Sequence, residues 1–270
     1  MAIENTLYCT MKRTLALLLL ACAVLADARE AKYFTRDHGA VIRGDTTRCD
    51  LALIFTGGDF ADGGDHIRRT LAEKNLQAGF FFTGDFYRDP ATAGLIKALV
   101  DDGHYLGPHS DKHLLYAPWH NRDSSLVDET LFKKDLLDNY RIMETFGIER
   151  LPDALFIPPY EWYNARHVQW AADLGVTLFN FTPGTGTHAD YTTPDMKNYA
   201  PSEVIWNKIW DYESRDAHGL NGFILLMHMG TDPRRTDKFY LRLGDLIDAL
   251  RARNYTLVRI DSLLAPLAYP

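Results

Sequence analysis

The chain is poor in cysteine, with three Cys among its 270 residues. Cys9 and Cys22 stand near the N-terminus in a segment that we expect to be removed, which leaves Cys49 alone. A disulfide needs two thiols, so this arrangement excludes an internal disulfide framework. The fold must instead be stabilised by an apolar core, and the roughly 240 residues that remain are enough to bury one.

The sequence also lacks an excess of positive charge. It has 29 Lys and Arg against 36 Asp and Glu, a formal net charge of −7, and no basic run or stripe. A protein that binds nucleic acid needs such a stripe to neutralise phosphates, so we predict no nucleic-acid partner. Internal repeats and Pro/Ser-rich linkers are absent too, which predicts one domain over residues 51–265, after an N-terminal segment at 29–50.

No apolar run is long enough to span a bilayer comfortably, so we predict no transmembrane span in the mature chain. The longest run, TLALLLLACAVLADA, follows Met11-Lys12-Arg13. A positive start, a short apolar stretch and a small-x-small site are typical of a secretory signal peptide. We therefore expect residues 1–28 to be a leader and the protein to be periplasmic or extracellular. The alternative is a lipoprotein leader, with an acylated Cys22 that anchors the protein to the membrane.

What the chain does contain is seven short segments rich in β-forming residues. They are LALIF (51–55), AGFFFTG (78–84), HYLGPH (104–109), ALFIPPY (154–160), TLFNFTP (177–183), GFILLMHM (222–229) and TLVRID (256–261). Most are continuous apolar runs, as in strands buried on both faces. Segments of helical period lie between them, and four of these end on glycine, at Gly103, Gly147, Gly175 and Gly219. The alternation predicts a parallel α/β fold, a seven-stranded (β/α) barrel, with an open doubly wound sheet as the alternative.

Polar residues gather just after five of these strands. They are Asp59, Asp62, His109, Ser110, His113, Tyr160, Glu161, Asp190 and His228. The carboxyl ends of parallel strands meet at one rim of the barrel, where such folds keep their functional groups. Scattered loop polarity would not be sorted in this way, so the sequence predicts a site at that rim. We expect Asp190, in the loop after the fifth strand, to contact the substrate.

The segment GHYLGPHSDKH places His109 and His113 four residues apart directly after a strand. Two neutral imidazoles and one carboxylate leave a coordination position open, which is typical of catalytic metal sites. In the glycine-rich loop IFTGGDFADGG, Asp59 is our choice for the carboxylate and Asp62 the second choice. The ligand set suits a divalent metal, zinc first, with Ni, Co, Mn or Fe also compatible. The alternative is two solvated histidines beside a solvated turn.

Two further groups complete the candidate site. His228 ends the apolar strand ILLMH, where an imidazolium could act as a general acid; a packed core histidine is the alternative. Trp162 and Tyr163 follow Glu161 in PPYEWYN. Aromatic rings at a rim suit the binding of sugar rings, although they could equally cap the barrel core.

The order of these segments resembles the polysaccharide deacetylases of carbohydrate esterase family 4, the NodB-homology domain. GHYLGPHSDKH is similar to that family's GHEIGNH(S/T)xxH, and QAGFFFTG to its KATFFVTG. FIPPYE stands where the family has FRPPYG, and LMH where it has LxH. The resemblance covers residues 50 to 262. It implies a distorted NodB-like barrel and a metal-dependent deacetylase in which His109 and His113 bind the metal, His228 is the acid, and the Tyr160 N–H holds the oxyanion.

The first motif departs from the family pattern. Thr56 and Gly57 occupy the positions of the two Asp of TFDDG, and Ile157 replaces the Arg that pairs with the first of them. Loss of both is coherent, because a buried guanidinium without a partner would be costly. The family's base is thus missing, and Glu161, which replaces a Gly of FRPPYG, or Asp62 could take its place.

The resemblance implies removal of acetyl groups, N- or O-linked, from a polysaccharide or oligosaccharide. Hydrolysis would combine a metal-activated water, a carboxylate base and protonation of the leaving group by His228. Two alternatives remain. The altered first motif is compatible with a carbohydrate-binding pseudoenzyme of the same fold, and the same site could hydrolyse a non-sugar amide.

Overall fold

The computed structural model describes residues 34–151 and 153–265. The expected leader at 1–28, with Cys9 and Cys22, lies outside the described residues, so its prediction stays an expectation. Cys49 is exposed and unpaired among the described residues. Within the same ranges, no helix has the length and apolarity needed to cross a membrane.

Nine β-strands form within the described part of the chain. They are β1 (Thr35–Asp37), β2 (Ala40–Arg43), β3 (Asp50–Gly57), β4 (Gly79–Phe82), β5 (Tyr105–Pro108), β6 (Ala154–Phe156), β7 (Val176–Leu178), β8 (Ile224–His228) and β9 (Thr256–Leu257). The last seven correspond in order to the seven apolar segments of the sequence. All of them are shorter than or shifted from the predicted runs by a few residues, apart from β3, which is longer.

Eight α-helices lie among the described residues. They are α1 (Gly64–Glu73), α2 (Gly84–Arg88), α3 (Ala93–Asp101), α4 (Glu129–Glu144), α5 (Ala165–Ala172), α6 (Ser202–Arg215), α7 (Leu243–Ala252) and α8 (Ile260–Leu264). Three short 3₁₀ helices complete the set, at Pro159–Glu161, Thr187–Tyr191 and Phe239–Arg242. The four predicted glycine stops all have positive φ, between 54° and 76°, which is the left-handed geometry that ends a helix.

The strands from β3 onward pair only in parallel, as the strand–helix alternation predicts. Four of them form the order β5-β4-β3-β8, β9 pairs with the start of β3, and β6 pairs with β7. Between consecutive strands the chain returns through a helix or a long loop. This confirms the predicted α/β class.

The two faces of β3 contribute to two separate apolar clusters. Leu51, Leu53 and Phe55 pack outward against the helices, whereas Ala52 and Ile54 belong to the inner cluster. That inner cluster fills the space between the strands with Phe81, Leu155, Ile157, Phe179, Ile224 and Leu226, among others. Each fully buried side chain of this size stabilises the fold by about 1.5–3 kcal/mol. The interior is thus packed, and functional groups can gather only at its ends.

The strand β2, which the sequence analysis did not predict, belongs to the barrel wall. Val41 forms a parallel bridge with Phe179, just after β7. The N–H of Asn180 donates to the Val41 carbonyl at 2.9 Å, and the N–H of Gly44 donates to the Gly222 carbonyl, before β8, at 2.7 Å. Because these bonds connect both sides of the gap between β7 and β8, we place the start of the barrel domain near Thr35 instead of at residue 51.

Two local differences from the predicted elements have simple causes. Helix α2 begins directly after β4 because the Thr83 hydroxyl caps it, accepting the N–H of Phe86 at 3.1 Å. The predicted strand at 256–261 splits into the two-residue β9 and helix α8. A short apolar run of this kind is compatible with both a strand and a helix, so its pattern alone does not decide.

Candidate active site

Four side chains of the candidate site meet at the carboxyl end of the barrel. The rings of His109 and His113 have centroids 5.0 Å apart, in an edge-to-face arrangement. Glu161 Oε1 lies 3.9 Å from His109 Nε2, and the Tyr160 ring lies 4.3 Å from the His113 ring. The structure therefore brings together residues that follow β5 and β6, as the rim of a parallel barrel requires.

His109 is held in one orientation and one tautomer. Its backbone N–H donates to Phe82 O and Asn139 Oδ1, each at 3.0 Å, and its ring Nδ1 lies 2.9 Å from Ile157 O. A carbonyl oxygen can only accept, so Nδ1 carries the proton and Nε2 presents its lone pair to the site. Burial, with the nearby His113, lowers the pKa of His109 well below its ordinary value. The ring is a neutral donor of the kind that binds metals.

His113 lies on a tight turn that also carries Ser110. Burial lowers the pKa of His113 to about 4, opposed by the charge of Asp59. Both Ser110 and His113 have positive φ, 70° and 52°. The Ser110 hydroxyl accepts the N–H of Leu114 at 3.3 Å, which bridges the turn that carries the second imidazole.

Asp135 anchors this turn from helix α4, a role that the sequence analysis missed. Its carboxylate accepts the backbone N–H of Asp111 at 3.2 Å and of Lys112 at 3.0 Å. The Tyr116 hydroxyl donates to it at 3.3 Å. Burial raises the pKa of Asp135, which these donors oppose. An acid inside an amphipathic helix carries no sequence signal for this contact, since its partners are backbone atoms far along the chain.

Glu161 occupies a strained position beside His109. Its φ is 51° and that of Tyr160 is 58°, a region that Gly enters freely and other residues enter at a cost. The side chain is 16% exposed, and no hydrogen bond to its carboxylate occurs within the described residues. Burial raises the pKa of Glu161 to about 7, with the His228 charge opposing. Glu161 thus combines a strained backbone with a carboxylate whose charged form is disfavoured, a combination that is frequent at functional sites.

His228 forms a buried pair with Asp190. Nδ1 of the imidazole lies 2.6 Å from Asp190 Oδ1, and the His228 N–H donates to Oδ2 at 2.9 Å. Burial opposes protonation of His228, but the charge and hydrogen bond of Asp190 outweigh it and raise the pKa. Asp190 is 0% exposed, and both of its oxygens face His228. We therefore correct the expected substrate contact, because Asp190 lies behind the imidazole and orients it.

The two acids of the glycine-rich loop have different surroundings. Asp59 is exposed, and its charge acts on His113. Asp62 accepts the Thr231 N–H at 2.8 Å, the Tyr240 hydroxyl at 2.8 Å and Lys238 Nζ at 2.9 Å. Burial disfavours the charged form of Asp62, but these donors outweigh it and lower the pKa. The carboxylate of Asp62 is thus occupied by structural partners, whereas the charge of Asp59 is felt by His113.

No three His, Cys, Asp or Glu side chains of the described residues lie close enough to one another to hold a metal ion as a complete group. The donor chemistry nevertheless fits one. His109 Nε2 presents its lone pair to the site, and the second neutral imidazole, His113, lies beside it with ring centroids 5.0 Å apart. Two buried neutral imidazoles side by side are a donor set that divalent metals bind.

The two expected sugar-binding aromatics have different environments. Tyr163 is 0% exposed, packs in the outer core, and donates its hydroxyl to Asp37 O at 3.1 Å. It is therefore a core residue, which corrects the expectation that it contacts sugar. Trp162 is partly exposed at the rim. Beside it lies Trp119, with ring centroids 5.6 Å apart, a residue that sequence reasoning overlooked because its loop has no regular pattern.

The two departures from the family motif lie on the barrel interior. Thr56 pairs in register with His228, on the face of β3 that carries Ala52 and Ile54. Its buried hydroxyl has no hydrogen-bond partner among the described residues. Ile157 is 0% exposed in the inner cluster. The site therefore has an apolar floor where the family pattern would place an Arg–Asp pair.

Comparisons with known proteins agree with this architecture. A curated relative, the peptidoglycan-N-acetylglucosamine deacetylase of Bacillus cereus, is 25% identical over 214 residues, 79% of this chain and 87% of its own length. A CE4 family pseudoenzyme from Bacillus anthracis superposes with a TM-score of 0.67 at 19% identity, over 86% of this chain and 70% of that one.

A second solved structure, PdaA of Bacillus subtilis, a family 4 carbohydrate esterase, has a TM-score of 0.63 at 20% identity, covering 84% of this chain and 85% of that one. These likenesses confirm the predicted NodB-like fold, a distorted (β/α) barrel. The family model described as polysaccharide deacetylase matches residues 43–179, half of the chain. The chain belongs to the polysaccharide deacetylase family.

Proposed function

We propose that this protein is a metal-dependent hydrolase that removes acetyl groups, N- or O-linked, from a polysaccharide or oligosaccharide. The observation that carries the proposal is the pair of neutral imidazoles, His109 and His113, with the Glu161 carboxylate 3.9 Å from His109 Nε2. Membership of the deacetylase family and the activity named for the Bacillus cereus relative support the reaction class.

The residues that would hold the divalent metal, zinc first, are His109, His113 and Asp59. Asp59 is the carboxylate whose charge acts on His113 and that has no structural partner of the kind found at Asp62. When bound, such an ion polarises the acetyl carbonyl and brings the pKa of a coordinated water toward neutrality. The low pKa values of both imidazoles support ligation at neutral pH, because protonated rings cannot bind a cation.

Glu161 is the general base in this proposal. It is the buried carboxylate nearest to His109 Nε2, and its raised pKa increases its basicity at neutral pH. Asp62, the second candidate, is less suited, because three donors hold its carboxylate in the charged, unreactive form. Thr56 and Ile157 supply neither a base nor its partner, so a relocated carboxylate is required.

His228 is the general acid. Its Nδ1 is bonded to Asp190, so Nε2 is the ring atom that can deliver a proton to the departing sugar amine or alkoxide. The Asp190 charge keeps the imidazole protonated to higher pH than an isolated histidine. The N–H of Tyr160 would stabilise the developing oxyanion, a role in which a fixed backbone donor costs no reorganisation.

Glu161→Gln tests the base. We expect the variant to retain metal and to lose acetate release by about 100-fold or more, because an amide cannot accept the proton. Acetate release is measured on a panel of acetylated glycans, and metal content by elemental analysis. Glu144→Gln, an exposed glutamate at the end of α4, is the matched control and should behave like the wild type.

Asp59→Asn, measured in the same way, separates ligand from base. We expect it to lower metal affinity, whereas Glu161→Gln should not. The reverse result, metal lost in Glu161→Gln and kept in Asp59→Asn, would exchange the two roles. Wild-type acetate release in Glu161→Gln would remove Glu161 from the reaction.

A second candidate is a carbohydrate-binding pseudoenzyme, favoured by Thr56 and Gly57 at the positions of the two motif aspartates. A solved structure of similar fold is itself a pseudoenzyme of this family. Bound metal and saturable glycan binding, without acetate release at high enzyme concentration, would support this candidate over the hydrolase.

We also propose that the protein acts outside the cytoplasm, either free or anchored through Cys22. The proposal is supported by the leader-like segment and by the peptidoglycan substrate named for the Bacillus cereus relative. Mass spectrometry of the N-terminus of protein from an export-competent host tests it. A chain beginning near Arg29 indicates a secretory leader, an acylated Cys22 a lipoprotein, and an intact leader would contradict both.

A further inference from the structure

An aromatic surface extends outward from the candidate site. Trp119, in the loop after β5, is 59% exposed and Tyr160 is 44% exposed. The Trp119 ring lies 5.8 Å from that of Tyr160 at 85°, and 5.6 Å from that of Trp162 at 33°. Tyr160 in turn contacts His113, with ring centroids 4.3 Å apart. We call Trp119, Tyr160 and Trp162 the aromatic platform.

One ring of the platform, that of Trp162, is held in place by its neighbours. Trp162 Nε1 donates to Pro118 O at 3.4 Å, and the Arg122 guanidinium lies 4.5 Å from the centre of the Trp162 ring. Arg122 is itself held by Tyr163 O at 2.6 Å and by Asp37 Oδ2 at 2.8 Å. A ring held in this way, as Trp162 is, loses little conformational freedom when a ligand binds, which favours affinity.

The exposure of these rings has no structural explanation. Large apolar side chains that stand exposed side by side at a site usually mark a binding surface. The Arg122 guanidinium, which packs on Trp162, is paired with Asp37. The surface therefore suits a neutral ligand with a flat apolar face, and the faces of a pyranose ring, lined with C–H groups, fit that description.

We propose that Trp119, with Tyr160 and Trp162, forms a subsite that stacks on a neutral sugar ring adjacent to the acetylated unit of the same glycan chain. Trp119 is two ring contacts away from His113, so a ring stacked on it is not the unit that reacts. The inference rests on the proposed function and adds to it a residue, Trp119, that selects for chain length.

Kinetics with substrates of different length test the subsite. For Trp119→Ala we expect kcat/KM on an acetylated tetrasaccharide to fall about tenfold, mainly through KM, because a stacked ring contributes about 1 kcal/mol or more. On the corresponding acetylated monosaccharide the change should be less than about twofold. Trp119→Phe should recover most of the loss. Leu241→Ala, at 58% exposure away from the site, is the control.

Binding of glycans without acetyl groups makes the result independent of turnover. Tryptophan fluorescence is titrated with tetramers of glucose, xylose and mannose for the wild type and for Trp119→Ala. Weaker binding by the variant supports the subsite even if no acetate is ever released, in which case only the proposed reaction fails. Equal affinity of the two proteins, or no saturable binding of any tetramer up to about 10 mM, would overturn the subsite.

Discussion

Backbone strain at individual residues is concentrated where the chemistry is proposed. Eight non-glycine residues of the described chain have positive φ, and four of them are Ser110, His113, Tyr160 and Glu161. Each such conformation costs on the order of 1 kcal/mol, and such residues cluster at sites that need fixed geometry. The strain therefore supports the proposed role of the segment at Tyr160 and Glu161 independently of any motif.

Glu161→Gly separates this strain from function. We expect the free energy of unfolding of the metal-free protein to rise by about 1 kcal/mol, because glycine adopts this φ freely. The gain should be larger at pH 8 than at pH 5. The pKa of the folded carboxyl is raised from 4.5 to about 7, so ionisation disfavours the native state progressively across that interval. Denaturant unfolding at both pH values measures the effect.

Asn254→Gly, at φ 66° just after the C-terminal end of helix α7, is the control for strain without a buried charge. It should give a smaller gain that is the same at both pH values. A loss of stability in Glu161→Gly would mean that the carboxylate makes a stabilising contact, contrary to its surroundings as described.

The pair of His228 with Asp190 predicts a pH effect. Activity that requires a protonated acid falls as pH rises through the pKa of His228, and Asp190 raises that pKa. Asp190→Asn should therefore move the alkaline limb of the kcat/KM profile to lower pH, besides reducing the rate. Asp211→Asn, at an exposed position of α6, should leave the limb in place. An unshifted limb in Asp190→Asn would exclude His228 as the titrating acid.

At the scale of elements, single charged side chains connect the rim loops to one another and to a neighbouring helix. Asp135 of α4 holds the turn of His113, and Asp62 joins the loop after β3 to the loop after β8 through Thr231 and Tyr240. The guanidinium of Arg235, 0% exposed, bonds Thr192 O at 2.7 Å and Ala200 O at 3.0 Å. The rim is thus fixed by contacts between loops, while the barrel fixes only where each loop begins.

Asp62→Asn tests this structural function. We expect the unfolding free energy to fall by about 1–2 kcal/mol, because three hydrogen bonds to a charged acceptor are weakened. Acetate release should stay within about threefold of the wild type, since the carboxylate holds loops and takes no proton. Chemical denaturation and acetate release are measured together. A near-complete loss of activity at unchanged stability would restore Asp62 as the candidate base.

At the scale of the whole molecule, the sequence was most informative where its pattern of apolar residues is strong. The continuous apolar runs predicted β3 to β9 in order, and the parallel barrel followed from their alternation with helices. The convergence of His109, His113, Glu161 and His228 at one rim also followed, because it depends only on strand direction. None of these required knowledge of loop conformation.

What the sequence could not predict depends on contacts between distant segments. Trp162 and Tyr163 are adjacent aromatics, yet one lies at the rim and the other is buried, which the local turn decides. Asp190 was expected to meet the substrate, but a hydrogen bond to His228, 38 residues away, turns it inward. The strand β2 is too short and too weakly patterned to be recognised, and its place in the wall is set by Phe179 and Gly222.

The adjacency of Tyr160, Glu161 and Trp162 has an evolutionary consequence. One short 3₁₀ segment carries the proposed oxyanion donor, the proposed base and one ring of the aromatic platform. A substitution that shifts this segment to suit a new glycan would shift the reacting groups with it. Mutations here should therefore rarely change glycan preference without also changing the rate of the reaction. Trp119 lies in a separate loop. Substitutions in that loop can therefore change which glycans are bound without moving the reacting groups.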